Sequence, residues 1–171
     1  DDNCHATNWL WARTITCPYC SGRVPLSPNW KLDGKGTGVK LHPHLGTGTG
    51  DPSRHFFFEI VQKASQQSPG TVKGGDAVCP FPDCTRTIDG DVIKSQAQEG
   101  KMGQQLYAVV YNRLIDQGRT KAGKPKRPKK VRGFRAPRPE DDNQAQVQAA
   151  LDAKLPEWLA RGIVPDEAFP E

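Results

Sequence analysis

The sequence contains no apolar run approaching the roughly 18 residues that read as a membrane span, and no stretch in which positive charge leads into an apolar segment, as in an export signal. These absences disfavour a membrane or secreted protein, and the expectation is a cytoplasmic chain with no membrane partner. Hydrophobic residues make up only 35% of the 171, so the core must be small. Gly46-Thr47-Gly48-Thr49-Gly50 is not followed by Gly-Lys-Ser/Thr, so a linker is a better reading than a phosphate cradle. A glycine-rich strand-to-helix turn is also missing, as is any legible set of nucleophile, base and cofactor cradle. No catalytic or cofactor-binding residue is therefore assigned to this chain.

Glycine and proline are plentiful. With 17 Gly and 15 Pro, about a fifth of the residues favour turns or linkers, and such a fold gains from a staple. Cysteine supplies one. Cys17-Pro18-Tyr19-Cys20 and Cys79-Pro80-Phe81-Pro82-Asp83-Cys84 are separated by 58 residues, and two thiolates this close in sequence can face one ion across a tight turn. Pro18 presets φ for the first turn, Ser21-Gly22 offers a residue that tolerates φ > 0, and backbone N–H groups in such turns can stabilise thiolates. A disulfide framework or unrelated buried thiols are the alternatives. Two clusters plus one odd cysteine fit metal better, and Cys17, Cys20, Cys79 and Cys84 are the expected ligands of one structural zinc. Cys4 is left as an unliganded thiol, and His42 and His44 as solvated strand-end histidines.

The charge is unevenly placed. Residues 119–138 hold ten Lys or Arg and no Asp or Glu, so of a net +5 this segment carries +10 and the rest of the chain −5. Prolines in Lys124-Pro125-Lys126-Arg127-Pro128-Lys129-Lys130 oppose a helix, which predicts an exposed, disordered strap. It is either a solvated linker or a phosphate-contacting element. Lys124, Lys126, Arg127, Lys129, Lys130, Arg132 and Arg135, with Phe134 among them, are its candidate DNA contacts, for phosphate rather than base reading.

The expected fold is α+β, a small antiparallel sheet carrying a zinc-ribbon site, followed by two or three helices and the strap. Three regions are expected: 1–118 with the sheet and helices, 119–139 as the basic linker, and 140–171 as a C-terminal helix and extended tail. Val24–Leu26, Trp30–Leu32 and Val39–His42 read as extended, with a turn at Asp33-Gly34 making a hairpin, and Phe56-Phe57-Phe58-Glu59-Ile60-Val61 reads as a central strand. Thr71–Lys73 and Ala77–Val78 lead to the second cysteine pair. Asp91 is placed to cap a helix ending at Gly100, and Met102–Gln117, with Leu106, Val109, Val110 and Leu114, reads as a second helix stopped by Gly118. A third follows Glu140-Asp141-Asp142 and ends at Pro156, and Val164–Pro170 reads as extended. The start at Asp1, with Trp9-Leu10-Trp11 soon after, suggests a piece of a longer polypeptide.

Several patches also resemble one family. Leu10-Trp11-Ala12-Arg13-Thr14, Gly70-Thr71-Val72-Lys73, Gly100-Lys101-Met102-Gly103-Gln104-Gln105-Leu106 and Pro137-Arg138-Pro139-Glu140-Asp141-Asp142 look like the zinc-ribbon region of prokaryotic adenine-specific DNA methylases. The resemblance runs from Leu10 to Pro165. It implies that Cys17, Cys20, Cys79 and Cys84 hold zinc, and that S-adenosylmethionine is bound only by the parent enzyme, whose Asp-Pro-Pro-Tyr motif this chain lacks. The expected function is a structural zinc-binding insertion domain of such a methyltransferase, helping to engage DNA or bracing the catalytic core and the parent's other domains. The alternative is a zinc-stabilised protein-interaction module that does not touch nucleic acid.

Overall fold

A computed structural model describes residues 4–121 and 123–165. The Val164–Pro170 segment expected as extended lies largely outside them. Among the described residues the structure is mixed α and β, with three antiparallel sheets and two α-helices. Two compact units are present, Asp1–Pro137 and Arg138–Glu171.

The first unit is built on a four-stranded sheet. β1 (Cys4–Thr16) pairs with β2 (Arg23–Leu26) at its C-terminal end and with β8 (Gly103–Ile115) along most of its length, and β8 pairs in turn with β9 (Lys129–Arg135), giving the order β2-β1-β8-β9. The expected Met102–Gln117 helix is therefore a strand. Its apolar spacing suits either state over one turn, but Tyr107-Ala108-Val109-Val110-Tyr111 is rich in β-branched and aromatic residues, which favour a pleated surface. Ala108, Val109 and Val110 are consecutive and all buried, so β8 is covered on both faces there and hides the period-two pattern of a half-exposed strand.

The strap also departs from expectation. Residues 129–135 of it form β9, pairing Lys129 with Ile115 through to Arg135 with Val109, and the approach to it is turned by Thr120 N–H to Lys124 O at 2.8 Å and Lys126 N–H to Gly118 O at 2.8 Å. Gly133 is glycine for a visible reason: a Cβ there would lie 2.6 Å from Oη of Tyr111, whose ring covers it from the opposed position.

β3 (Gly38–His44) and β4 (His55–Val61) form a separate hairpin. The Phe56–Val61 run is thus one arm of a two-stranded sheet, not a central strand. Alternation places Phe56 and Phe58 in the core and leaves Phe57 59% exposed beside His44 and His55. The Asp33-Gly34 turn forms, closed by Leu32 N–H to Thr37 O and by Val39 N–H to Trp30 O, both at 2.9 Å. β5 (Val72–Lys73), β6 (Asp76–Val78) and β7 (Thr87–Ile88) make a third, small sheet. Helix α1 (Gly90–Gln98) follows, capped by Asp89 and not by Asp91, because it is the Asp89 carboxylate that accepts the Asp91 N–H at 2.8 Å.

In the second unit, α2 (Gln144–Ala160) continues through Pro156 where a stop was expected. It buries no residue, and Val147, Leu151 and Leu159 are exposed. No helix among the described residues is long and apolar enough to cross a membrane.

The core of the first unit gathers Ile15, Val24, Trp30, Val39, Phe56, Phe58, Ala77, Phe81 and Ile88 around Cys17, Cys20 and Cys79. The cysteine centre lies inside the apolar core.

Candidate metal centre

The two cysteine pairs, 58 residues apart in sequence, close on each other. Sγ of Cys17 lies 3.8 Å from Sγ of Cys84 and Sγ of Cys20 lies 3.7 Å from Sγ of Cys79, and all four sulfurs fall within 4.8 Å of one another. A tetrahedron with metal–sulfur bonds of about 2.3 Å has sulfur–sulfur edges of about 3.8 Å, whereas a disulfide needs about 2.05 Å. These four cysteines can hold a metal ion, and their separations match no disulfide.

Each pair is shaped by the same backbone device. Ser21 N–H donates to Cys17 O at 2.9 Å, Thr85 N–H to Phe81 O at 3.1 Å, and both Ser21 (φ 59°) and Thr85 (φ 51°) occupy the left-handed region just after a cysteine. The positive φ expected near Ser21-Gly22 is thus on Ser21. The match superposes Cys17-Pro18-Tyr19-Cys20-Ser21 on Phe81-Pro82-Asp83-Cys84-Thr85, which leaves Cys79 two residues upstream of the position that Cys17 holds. Cys79 N–H to Arg86 O and Cys17 N–H to Gly22 O, both 2.9 Å, close the two loops.

Gly22 serves another purpose than φ. A Cβ there would stand 2.8 Å from Cζ and 2.9 Å from Cδ2 of Phe81, so the first loop has no side chain where the second loop's ring enters. The Phe81 ring is fully buried, 4.4 Å from the Phe56 ring, and outside the centre the Arg86 guanidinium lies 4.2 Å from the Tyr19 ring, joining the two loops again.

Longer-range contacts fix the approach. Gln96 of α1 makes two bonds to Thr16, accepting its N–H at 2.9 Å and donating to its carbonyl at 2.8 Å, so the helix grips the residue before Cys17. The buried Thr71 hydroxyl donates to Pro25 O at 2.6 Å and accepts from Ser27 N–H at 2.9 Å, tying the exit of β2 to the lead-in of the second loop.

The acidity of the thiols follows their surroundings. Burial pushes the thiols of Cys17 and Cys79 up, against backbone N–H donors at Tyr19 and Cys20 for the first and Phe81 for the second. At Cys84 burial also raises the value, but the Arg86 N–H and the neighbouring cysteines outweigh it, and the thiol is lowered overall. Cys84 is the least buried of the four, and it becomes a thiolate more readily than Cys17 or Cys79.

Arg54 was not singled out by the sequence. Its side chain is wholly buried, its guanidinium lies 4.5 Å from the Phe81 ring, and it pairs with Asp83, inside the second loop, through Nη1 at 2.9 Å and also through Nη2. Asp83 raises its pKa most, with Cys20 and Cys79 adding to the effect, and Arg54 in turn lowers that of Asp83. Around it the Gly-Thr loop is fastened: Gly50 N–H donates to Cys20 O at 3.0 Å and the Thr49 hydroxyl to Asp83 at 3.2 Å. The expected linker is an ordered cover on the centre. An isolated arginine among glycines and histidines carries no motif, so no sequence signal marked it.

The remaining expected site residues lie elsewhere. Cys4 sits at the far end of β1, paired with Arg113, apart from the cluster. His42 bonds Glu59 across the hairpin at 2.6 Å. Lys124, Lys126 and Arg127 are exposed in the β8–β9 connection, and Lys129, Lys130, Arg132 and Arg135 are on β9. Those on the strand do not share one face: Lys130 and Arg132 alternate with Lys129 and Arg135, and Arg132 lies 5.3 Å over the Phe134 ring on its own face.

Comparison of this chain with protein-family models, with curated proteins and with solved structures finds no match.

Proposed function

We propose that this chain is a zinc-stapled β-domain that engages DNA through its basic β8–β9 arm, as part of a larger adenine-specific methyltransferase. Four thiolates are a soft, closed, tetrahedral donor set of the kind that structural zinc occupies, and they leave no position for a reactive water. The metal would hold the two loops together inside a small core, in the role that its donor chemistry suits.

The observation that carries the DNA reading is the placing of charge. Nine cations without an anion run from Arg119 to Arg135, through the β8–β9 connection and along β9, and so line one edge of the four-stranded sheet, where phosphates could meet them. Arg132 stacked near Phe134, opposite Asn112, adds polar and aromatic groups to one face of that edge. The methyltransferase parent rests on the resemblance of the sequence patches; the reading frame around this segment should contain Asp-Pro-Pro-Tyr, and a complete frame without it removes that parent.

Duplex-DNA affinity measured by fluorescence anisotropy over a salt series tests the arm. Each neutralised phosphate contributes about −0.9 to the log–log slope, so Lys126→Ser, Arg127→Ser, Lys129→Ser and Lys130→Ser together should flatten it, with metal content unchanged. Equal, weak binding by both proteins at every salt concentration overturns the DNA reading. A protein-interaction module is the second reading, favoured by Trp9, Leu114 and Ile115, which are 45%, 41% and 44% exposed along β1 and β8.

A further inference from the structure

Asp83 meets both Nη atoms of Arg54 but leaves the rest of the buried guanidinium without a strong partner. A buried guanidinium is costly unless paired and fully hydrogen-bonded. Its ionic partner among the described residues, Asp83, has a side chain 37% exposed, so water screens that carboxylate on its outer side. Leu45 O is at 3.5 Å, the limit of a hydrogen bond, and the buried Nε has no acceptor among the described residues. The guanidinium nevertheless lies against the aromatic ring that fills the second cysteine loop, within electrostatic reach of Cys20 and Cys79. Four thiolates around a divalent ion would carry a net charge of −2, a second anion beside the guanidinium.

We propose that Arg54 is the fixed countercharge of the metal centre, held by Phe81 and Asp83 so that its positive charge damps the nucleophilicity of the bound thiolates and protects the metal from electrophiles. The proposal rests on the metal reading above. A cation near a thiolate withdraws electron density from sulfur, and thiolate reactivity falls with its basicity. Asp83 acts against Arg54 from the solvent side, so the two residues have opposite electrostatic effects on the sulfurs while contributing to the same brace. That opposition separates charge from architecture. If Arg54 only braces the loop, loosening either end should expose the sulfurs and speed their reaction.

The test uses the metal-loaded full chain. Excess iodoacetamide is added and metal release is followed with a chromophoric chelator, for wild type, Arg54→Met, Arg54→Lys and Asp83→Asn. Thiolate attack on the reagent forms a carbon–sulfur bond and expels iodide, which makes the rate a direct reading of nucleophilicity. Arg54→Met, similar in length and able to pack on Phe81, should release metal roughly tenfold faster. Arg54→Lys should stay within about threefold of wild type because the charge remains. Asp83→Asn should be slower than wild type. In the cobalt-substituted protein the sulfur-to-metal charge-transfer band should shift to lower energy in Arg54→Met and keep its intensity, showing that all four ligands remain.

Acceleration in Asp83→Asn as well as Arg54→Met, or an Arg54→Met rate within twofold of wild type, overturns the proposal. Should Arg54→Met fail to fold, the direction of change in Asp83→Asn decides alone. A wild-type chain that binds no metal refutes the metal reading and this inference with it, whereas a metal-binding wild type with unaltered variant rates refutes only the role of Arg54.

Discussion

Gly22→Ala should destabilise the folded chain by about 1–3 kcal/mol, the usual cost of forcing one extra carbon into a packed core. The backbone gives no reason for the loss, since Gly22 is not among the glycines with positive φ. The loss comes from the Phe81 ring. A Cβ at residue 22 would be 2.8 and 2.9 Å from two ring carbons and nearer still to Cε2, where carbon atoms ordinarily stay about 3.5 Å apart. That ring cannot retreat cheaply, because Phe56 is at 4.4 Å on one side and the Arg54 guanidinium at 4.5 Å. A double-mutant cycle with Phe81→Leu isolates the term, since leucine has no atoms where Cε2 and Cζ lie. With leucine at 81, Gly22→Ala should be neutral, or stabilising by roughly 0.4–1 kcal/mol through the unfolded chain, giving a coupling of at least about 1 kcal/mol. Urea melts of the four proteins at one fixed metal concentration, held constant because any ligand of the native state shifts apparent stability, supply the numbers. Additivity within about 0.5 kcal/mol would refute the packing of one cysteine loop into the other.

Cys79→Ser should abolish stoichiometric zinc uptake by elemental analysis, while Cys4→Ser, at the far end of β1, should leave it unchanged; loss of metal in the second variant would mean a different ligand set. Apparent metal affinity should fall as pH is lowered, by more than one proton per ion, because burial holds the thiols of Cys17 and Cys79 in their protonated form until metal displaces the protons; a pH-independent affinity would contradict this. Gln96→Ala removes both bonds to Thr16 and should cost about 1–2 kcal/mol in a denaturant melt, with metal content retained. Incubated with DNA and S-adenosylmethionine, this chain alone should transfer no methyl group, and transfer above background with contaminating enzymes excluded would contradict the insertion-domain reading.

The centre was legible in the sequence because its chemistry is local. Two short cysteine spacings with turn-forming neighbours specify half-sites without reference to the rest of the chain, and the structure brings those halves together. What was illegible is what depends on distant partners. β8 carries Leu106, Val109, Val110 and Leu114 at spacings that a helix also satisfies, and only the ladder with β1, from Cys4 opposite Arg113 to Thr14 opposite Gly103, decides for the strand. The strap reads as disordered from its prolines and self-repelling charge, yet Lys129–Arg135 lies on the edge of β8, where proline is absent and every residue from 129 to 135 has an opposed partner. Pro156 reads as a stop because it lacks an N–H, but one missing bond does not end a helix with three turns already formed before it.

Arg54 shows how such a dependence reaches function. The cysteine spacings specify four side chains that can hold a metal ion, but not what surrounds them, and a tetrathiolate centre in an apolar core would carry a negative charge that the surroundings must meet. Backbone N–H groups at Tyr19, Cys20, Phe81 and Arg86 meet part of it from within the two loops, as turn geometry allows. The remaining part comes from residue 54, 34 residues beyond the first cysteine pair and 25 before the second, delivered by the same loop that donates Gly50 N–H to Cys20. The length of the segment between the cysteine pairs is thereby accounted for in part: besides forming the β3–β4 hairpin, it folds back to place a cation and a cover on the site. A shorter connection could close the tetrahedron, but it would leave the sulfurs without either.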